Sequence, residues 1–145
     1  SPRGTAGALK LINPLPDNPF LVTNGDVITD IQYSDILSFH LKNSAAATMA
    51  VRVHEIQHLY GVVKTDGIDI VEFEEKPVIR SNINAGVYVL DPIALNGLPD
   101  SKYCDMPVLF DRIRKNSNRT IVYPLHENWL DVGNPEDLNL ANNQK

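Results

Sequence analysis

The sequence has little of what several functional classes require, beginning with cysteine. Its one cysteine, Cys104, excludes a disulfide within the chain and fits a reducing, cytoplasmic setting. Lys102 is close by in sequence but no histidine is, so Cys104 is not expected to act as a catalytic thiol. Positive charge is not in excess either. The formal net charge of −5 gives no basic footprint for nucleic acid, and no apolar run approaches the roughly 20 residues of a membrane span.

Several catalytic motifs are also missing from the sequence. It contains no P-loop, no dinucleotide-binding fingerprint and no serine elbow. Of its four histidines, only His54 and His58 are spaced four apart, and they fall at a strand end and in a predicted loop rather than on one helix. We therefore expect neither a zinc site nor a covalent nucleophile.

The size and the pattern of the chain predict one α/β domain. A chain of 145 residues with 43% hydrophobic content can bury a sizeable core. Strands are predicted at 20–24, 46–55, 84–91 and 119–125, with two more around Asp66-Gly67 in 60–77; helices are predicted within 4–12, at 33–43 and 106–116 (with Asp105 as the N-cap), and from Asn134 onward. Because strands alternate with helices, we expect a largely parallel sheet to which the hairpin adds a mixed element.

Two predicted strand exits carry an aspartate beside a glycine. Asp26 follows the apolar start of FLVTNGDVI (20–28), and Asp131 lies in WLDVG (129–133). Ligands collect at the carboxyl ends of strands in such sheets, and Mg²⁺ is usually held by one or two carboxylates together with substrate phosphates. The alternative is that Asp26 only stabilises a turn and Asp131 only caps the last helix.

Three further stretches have both a chemical and a structural interpretation. FEEKP (73–77) offers a lysine for a phosphate and a glutamate for sugar hydroxyls, or is a solvated edge. RGTAGAL (3–9) could present backbone N–H groups to a nucleotide, or is a glycine-rich turn before a helix. NAGVYV (84–89) could contact a ligand, or mark a tight backbone approach.

Taken in order, the stretches RGTAGAL, LVTNGDVI, YGVV, EEKP, NAGVYVLDP and WLDVGNPEDL resemble the sugar-phosphate nucleotidyltransferases. The resemblance implies a three-layer, Rossmann-like (GT-A-like) α/β domain with a mixed sheet. It also implies an enzyme that joins a nucleoside triphosphate to a sugar 1-phosphate, with Mg²⁺, and releases pyrophosphate. GTP and mannose 1-phosphate are the first substrates expected, in cytoplasmic synthesis of polysaccharide or glycan precursors, and a homo-oligomer is compatible with it.

The resemblance also implies a role for individual residues. Asp26 and Asp131 would hold the metal, and Lys76 would meet the sugar phosphate. The substrate contacts it implies are Gly4, Thr5, Ala6 and Gly7 for the base or ribose, Gly61, Glu75, Asn84, Ala85 and Gly86 for the sugar, and Trp129 packed beside Asp131.

The sequence departs from this family in one respect. The family's glycine-rich basic loop, a G-x-G-T-R pattern followed later by P-K, does not occur in it. We therefore expect residues 1–145 to be the C-terminal part of a single nucleotidyltransferase domain, inactive or nearly so by itself. The alternative is a non-catalytic regulatory module that binds nucleotide sugars. A glycosyltransferase of similar architecture fits the EEKP and WLDVG stretches poorly.

Overall fold

The chain divides into two compact units, which are described here separately. The computed structural model describes residues 2–100 and 103–143. One unit is Arg52–Ile83; the other, called the main unit below, comprises the chain up to Val51 and from Asn84 onward. Within the described ranges, none of the helices combines the length and the hydropathy needed to cross a membrane.

Helices and strands follow closely the positions that the sequence predicts. The helices are α1 (Gly4–Gly7), continued by a 3₁₀ helix (Ala8–Leu11), α2 (Tyr33–Lys42), α3 (Met106–Lys115) and α4 (Pro135–Asn143), with a second 3₁₀ helix at Pro92–Gly97. The strands are β1 (Phe20–Thr23), β2 (Val27–Thr29), β3 (Ala47–Gln57), β4 (Val62–Asp66), β5 (Asp69–Glu74), β6 (Val78–Leu90), β7 (Thr120–Pro124) and β8 (Trp129–Asp131). β2 was not predicted, because three residues are too few for a periodic pattern to show. The 3₁₀ helix at Pro92–Gly97 was not predicted either, and β6 begins six residues before the strand predicted at 84–91.

The main sheet is mixed, as the family resemblance implied. Its four strands lie in the order β1-β6-β3-β7. β1 pairs with β6 antiparallel, whereas β3 pairs with β7 parallel. The expectation of a largely parallel sheet was therefore wrong. The chain between β3 and β6, which the structure describes throughout, forms two strands and no helix. Parallel neighbours need a crossover connection of roughly a dozen or more residues, usually an α-helix, and this connection has no helix.

Alternation along β6 shows why helices cover both faces of the sheet. Val87 and Val89 pack with Ile36 of α2 in one apolar cluster, whereas Tyr88 and Leu90 belong to the other. α3 contributes Met106, Leu109, Phe110 and Ile113 to that second cluster. All four β6 residues from 87 to 90 are at most 1% exposed. A strand buried on both faces requires two helical layers, and the result is the three-layer architecture.

Candidate functional site

Asp26 and Asp131 are brought together by a small sheet that the sequence pattern did not predict. β2 and β8 pair antiparallel, with Val27 opposite Asp131. Next to this pair, the Val132 N–H donates to the carbonyl oxygen of Asp26 at 2.9 Å. Two segments that are distant in sequence are thus joined at their aspartates.

Gly133 shows how closely the two carboxylates approach. A Cβ atom placed on Gly133 would lie 3.0 Å from Asp131 Oδ1 and 3.1 Å from Asp26 Oδ2. Both oxygens therefore border the same small space, which stays open because residue 133 has no side chain. Two carboxylate oxygens facing one such space suit a hard divalent cation such as Mg²⁺. No cluster of three or more His, Cys, Asp or Glu side chains suited to a metal is found in the described chain.

The structural alternative for Asp131 was that it caps the last helix. Its Oδ1 accepts a hydrogen bond from the Gly133 N–H at 3.0 Å, so the carboxylate does shape its own turn. It does not cap α4, however. The Glu136 N–H donates to Asn134 Oδ1 at 3.2 Å, which makes Asn134 the cap. Asp137, in the first turn of α4, accepts from the Asp131 N–H and thereby fixes the backbone of the aspartate.

A cleft of about 420 Å³ opens beside Asp26. Its lining includes Thr5, Thr23, Asn24, Gly25 and Asp26. The volume falls within the range of about 300–1,000 Å³ that small-molecule sites occupy. The cleft therefore places one of the paired carboxylates, together with Thr5 from the glycine-rich stretch, beside a space large enough for part of a nucleotide or sugar.

The glycine-rich stretch uses its backbone amides within the protein. The N–H groups of Ala6 and Gly7 donate to the Cys104 carbonyl oxygen at 2.9 Å, and Thr5 N–H donates to Asp105 Oδ1 at 3.2 Å. Ala6 is fully buried. The sequence suggested that these N–H groups could face a nucleotide. At these three residues the structure instead directs them to the segment before α3.

Thr5 also completes the start of α3. Asp105 occupies the N-cap position, as the sequence predicted, but its side chain makes no capping bond. The Met106 N–H instead donates to Thr5 Oγ1 at 2.7 Å. Gly4 is required for this approach, since its φ is +72° and a Cβ there would meet the Cys104 carbonyl oxygen at 2.5 Å.

The NAGVYV stretch lies within β6, and its backbone is left-handed at Gly86. The Asn84 side chain supports this local conformation. Asn84 Oδ1 accepts from the Gly86 N–H at 2.9 Å, and Asn84 Nδ2 donates to the Tyr88 hydroxyl at 2.8 Å. Gly86 has a φ of +72°, and a Cβ on it would lie 2.8 Å from Val27 Cγ2. Ala85 is fully buried. These contacts show that the stretch is a tight backbone approach, and its ligand role stays a prediction.

Trp129 links β8 to the same stretch. Its indole N–H donates to the carbonyl oxygen of Ala85 at 2.7 Å. The half-buried ring packs against the apolar cluster that contains Val87. Since Trp129 lies in the same short strand as Asp131, this hydrogen bond ties the strand that carries the aspartate to β6. The positioning role expected for Trp129 stays a prediction.

Gly61, Glu75 and Lys76 belong to the Arg52–Ile83 unit. There, a Cβ on Gly61 would lie 3.1 Å from Glu75 Oε2, so the two predicted sugar contacts are neighbours. Lys76 has a φ of +44° directly before Pro77. A non-glycine residue in this conformation is strained, and such strain clusters at functional sites.

Cys104 is buried, and burial raises the pKa of its thiol. Its thiol is therefore protonated at neutral pH and poorly nucleophilic, in line with the sequence analysis. Lys102, considered above as its neighbour, lies outside the described residues.

A three-layer α/β domain with two aspartates converging at strand exits is the architecture expected of enzymes that handle nucleotides and sugar phosphates. The chain belongs to the nucleotidyl transferase family, whose model matches residues 1–145. The mannose-1-phosphate guanyltransferase of Yarrowia lipolytica is 35% identical over 144 residues, covering 94% of this chain and 39% of that relative. The chain thus spans about two-fifths of that relative's length.

Solved structures confirm the fold. HddC from Yersinia pseudotuberculosis, solved with GMP-PN, is similar with a TM-score of 0.65 at 22% identity, covering 99% of this chain and 63% of that one. A proposed glucose-1-phosphate thymidylyltransferase from Bacillus anthracis, solved with sucrose, gives a TM-score of 0.70 at 20% identity, covering 98% and 61%.

The sequence analysis missed two residues that matter for the site geometry, Asn24 and Tyr88. Tyr88 was read only as part of a strand. The signal that could have singled it out is chemical, because a tyrosine inside an otherwise apolar run needs a hydrogen-bond partner when it is buried.

Proposed function

We propose that this protein takes part in joining a nucleoside triphosphate to a sugar 1-phosphate, with GTP and mannose 1-phosphate as first substrates and Mg²⁺ as the metal. The observation that carries the proposal is the convergence of Asp26 and Asp131 around Gly133. The choice of substrates is supported by the mannose-1-phosphate guanyltransferase similar to this chain and by the fold shared with a protein solved with GMP-PN.

The proposed chemistry asks the protein to position two polyanions and to offset their charge. An oxygen of the sugar phosphate attacks the α-phosphorus of the nucleotide in line, and pyrophosphate departs with its bonding electron pair. A divalent cation would supply Lewis-acid stabilisation of the phosphate charge. Asp26 and Asp131 would hold that cation, and no covalent intermediate is needed.

The remaining proposed roles follow from side-chain chemistry. The Lys76 ammonium group would bind the incoming phosphate as a point charge. Glu75 would accept hydrogen bonds from sugar hydroxyls. Thr5, which lines the cleft, would border the nucleotide. Positioning of this kind accounts for much of the rate enhancement in reactions between two bound substrates.

Binding of a nucleotide sugar tests the metal pair directly. Titration calorimetry with GDP-mannose, with and without Mg²⁺, should show binding that depends on the metal. Asp26→Asn and Asp131→Asn should each weaken it by about 100-fold or more, because each removes a ligand charge in the first coordination sphere. Asp17→Asn, which changes an exposed aspartate in the same way, is the control and should bind like the unchanged protein.

The outcomes separate the proposal from its rivals. Binding that needs no metal, or that survives both asparagine variants, would contradict the metal pair and favour a module that recognises the nucleotide sugar in another way. Because the sequence contains no G-x-G-T-R loop, binding is a sharper readout for this chain than turnover.

A further inference from the structure

The backbone amide of Asp131 faces away from the strand with which Asp131 pairs. Val27 lies opposite Asp131 in the β2–β8 ladder, and the Val132 N–H donates to the Asp26 carbonyl oxygen just beyond this pair. In an antiparallel ladder, a hydrogen bond in that position marks a pair whose own N–H groups point outward. β2 therefore cannot satisfy the Asp131 N–H, and β8 has no second neighbouring strand in the described part of the chain.

A side chain of α4 supplies the acceptor that a second strand would otherwise provide. Asp137 Oδ2 accepts a hydrogen bond from the Asp131 N–H at 3.2 Å. Asp137 is half-buried, whereas its neighbour Glu136 is exposed. The start of α4 does not depend on Asp137 for its cap, because Asn134 Oδ1 accepts from the Glu136 N–H at 3.2 Å. The Asp137 side chain instead reaches back to the strand that carries Asp131.

Three atoms of Asp131 are consequently held by hydrogen bonds. Its N–H donates to Asp137, its carbonyl oxygen accepts from the Asn134 N–H at 2.9 Å, and its Oδ1 accepts from the Gly133 N–H at 3.0 Å. The last two contacts come from the turn that directly follows Asp131. Of the three, only the contact with Asp137 comes from within α4. It holds the amide that is bonded to the Cα from which the carboxylate extends.

We propose that Asp137 is a positioning residue for the metal pair: by accepting from the Asp131 N–H, it sets the direction in which the Asp131 carboxylate meets Asp26, and so raises the affinity for a divalent cation. The inference rests on the proposed function, because a metal ion is what the two carboxylates are positioned for. Asp137 acts as the acceptor for a backbone amide, and this role requires no contact between Asp137 and the ion.

The test compares two substitutions at residue 137 that separate the hydrogen bond from the charge. Mn²⁺ is titrated into the full chain, and its unbound fraction is followed by electron paramagnetic resonance. Asp137→Ala removes the acceptor and should weaken Mn²⁺ binding by about 10-fold, as loss of a supporting partner does at other metal sites. Asp137→Asn removes the charge but keeps an acceptor oxygen, so its affinity should stay within about threefold of that of the unchanged protein.

Glu136→Ala is the matched control. It removes the same charge from the first turn of α4, and the same interaction with the helix dipole, at an exposed position. It should bind Mn²⁺ as the unchanged protein does. Urea unfolding of each variant reports whether the fold is intact. If Asp137→Ala does not fold, Asp137→Ser takes its place, because the shorter serine side chain does not reach as far as Asp137 Oδ2, and the same loss of affinity is expected.

Each outcome decides the question. If Asp26→Asn abolishes Mn²⁺ binding but the alanine or serine variant at residue 137 binds as the unchanged protein does, the inference fails and the proposed function stands. Equal losses in Asp137→Ala and Asp137→Asn, or in Asp137→Ala and Glu136→Ala, would show that charge matters rather than the hydrogen bond, which also overturns the inference. If the unchanged protein binds no Mn²⁺, or if Asp26→Asn binds it equally well, the metal pair fails and the inference falls with it.

Discussion

At the scale of single residues, Gly133 matters because of the atom that it lacks. Gly133 comes two residues after Asp131 in the sequence. The space that a side chain on residue 133 would fill is bordered by the carboxylates of Asp131 and Asp26. Contacts of 3.0 and 3.1 Å are tighter than carbon and oxygen normally make, so an added methyl group would push the carboxylates apart.

Gly133→Ala should therefore weaken divalent-metal binding by about 10-fold, since a displaced ligand costs affinity in the way that a lost supporting contact does. The free energy of unfolding should change little, because residue 133 is exposed and both carboxylates can move. Mn²⁺ titration with a parallel urea unfolding series measures the two effects.

Gly25→Ala is the matched control for this change. It adds the same methyl group next to Asp26, but that group would meet nothing within 4 Å. Equal losses of affinity in the two variants would show that the space at Gly133 is not special, and would remove the main geometric argument for a shared cation.

At the scale of secondary-structure elements, the ends of α2 and α3 are built alike. After α3, Asn118 N–H bonds to the Ile113 carbonyl oxygen and Ser117 N–H to that of Arg114. This is the Schellman arrangement, in which the residue after the C-cap adopts a left-handed conformation. Ser117 has a φ of 60°, and Ser44 after α2 has a φ of 48°. Glycine is the residue that normally takes this position, so both serines are strained.

Ser117→Gly should raise the free energy of unfolding by about 0.5–1 kcal/mol, because the left-handed strain of an L-residue exceeds the entropy cost of glycine at that position. Denaturant unfolding monitored by circular dichroism measures the change. Ser38→Gly makes the same substitution on the exposed face of α2 and should destabilise by about 0.5 kcal/mol. Destabilisation of both variants alike would refute this account of the helix end.

At the scale of the whole molecule, a buried histidine ties stability to pH. His40 of α2 is 1% exposed, and its Nδ1 lies 2.8 Å from Thr48 Oγ1 on β3. Burial lowers its pKa from 6.5, and the charge of Asp91 opposes this shift without cancelling it. The unfolded chain therefore binds a proton more readily than the folded one. His40 contributes its full stability above the unfolded pKa near 6.5, and this contribution is lost as the pH falls toward the folded pKa.

We expect the urea midpoint of the unchanged protein to fall between pH 7.5 and pH 5.5. His40→Gln keeps a hydrogen-bonding group but does not titrate, so its midpoint should fall less over the same interval. His126→Gln, at an exposed position, should retain the pH dependence of the unchanged protein. If His40→Gln shows the full pH dependence, another group is responsible.

The sequence by itself determined the long, regular elements and the chemical candidates. The helical spacing of Met106, Leu109 and Ile113 is a local pattern, and α3 forms where it was expected. The strand predicted at 84–91 also forms, although it begins at Val78. Asp26 and Asp131 stood out for an equally local reason, because an acid beside a glycine at a strand exit is visible in a few adjacent residues.

Only the tertiary structure decided which of these local features meet. The pairing of β2 with β8, and the hydrogen bond from the start of α3 to Thr5, each join segments that are distant in the chain. No local pattern encodes such contacts, because their energy depends on two surfaces that meet only after the sheet and its helical layers have packed. For the same reason the direction of β6 and the space at Gly133 could not be predicted from the order of residues.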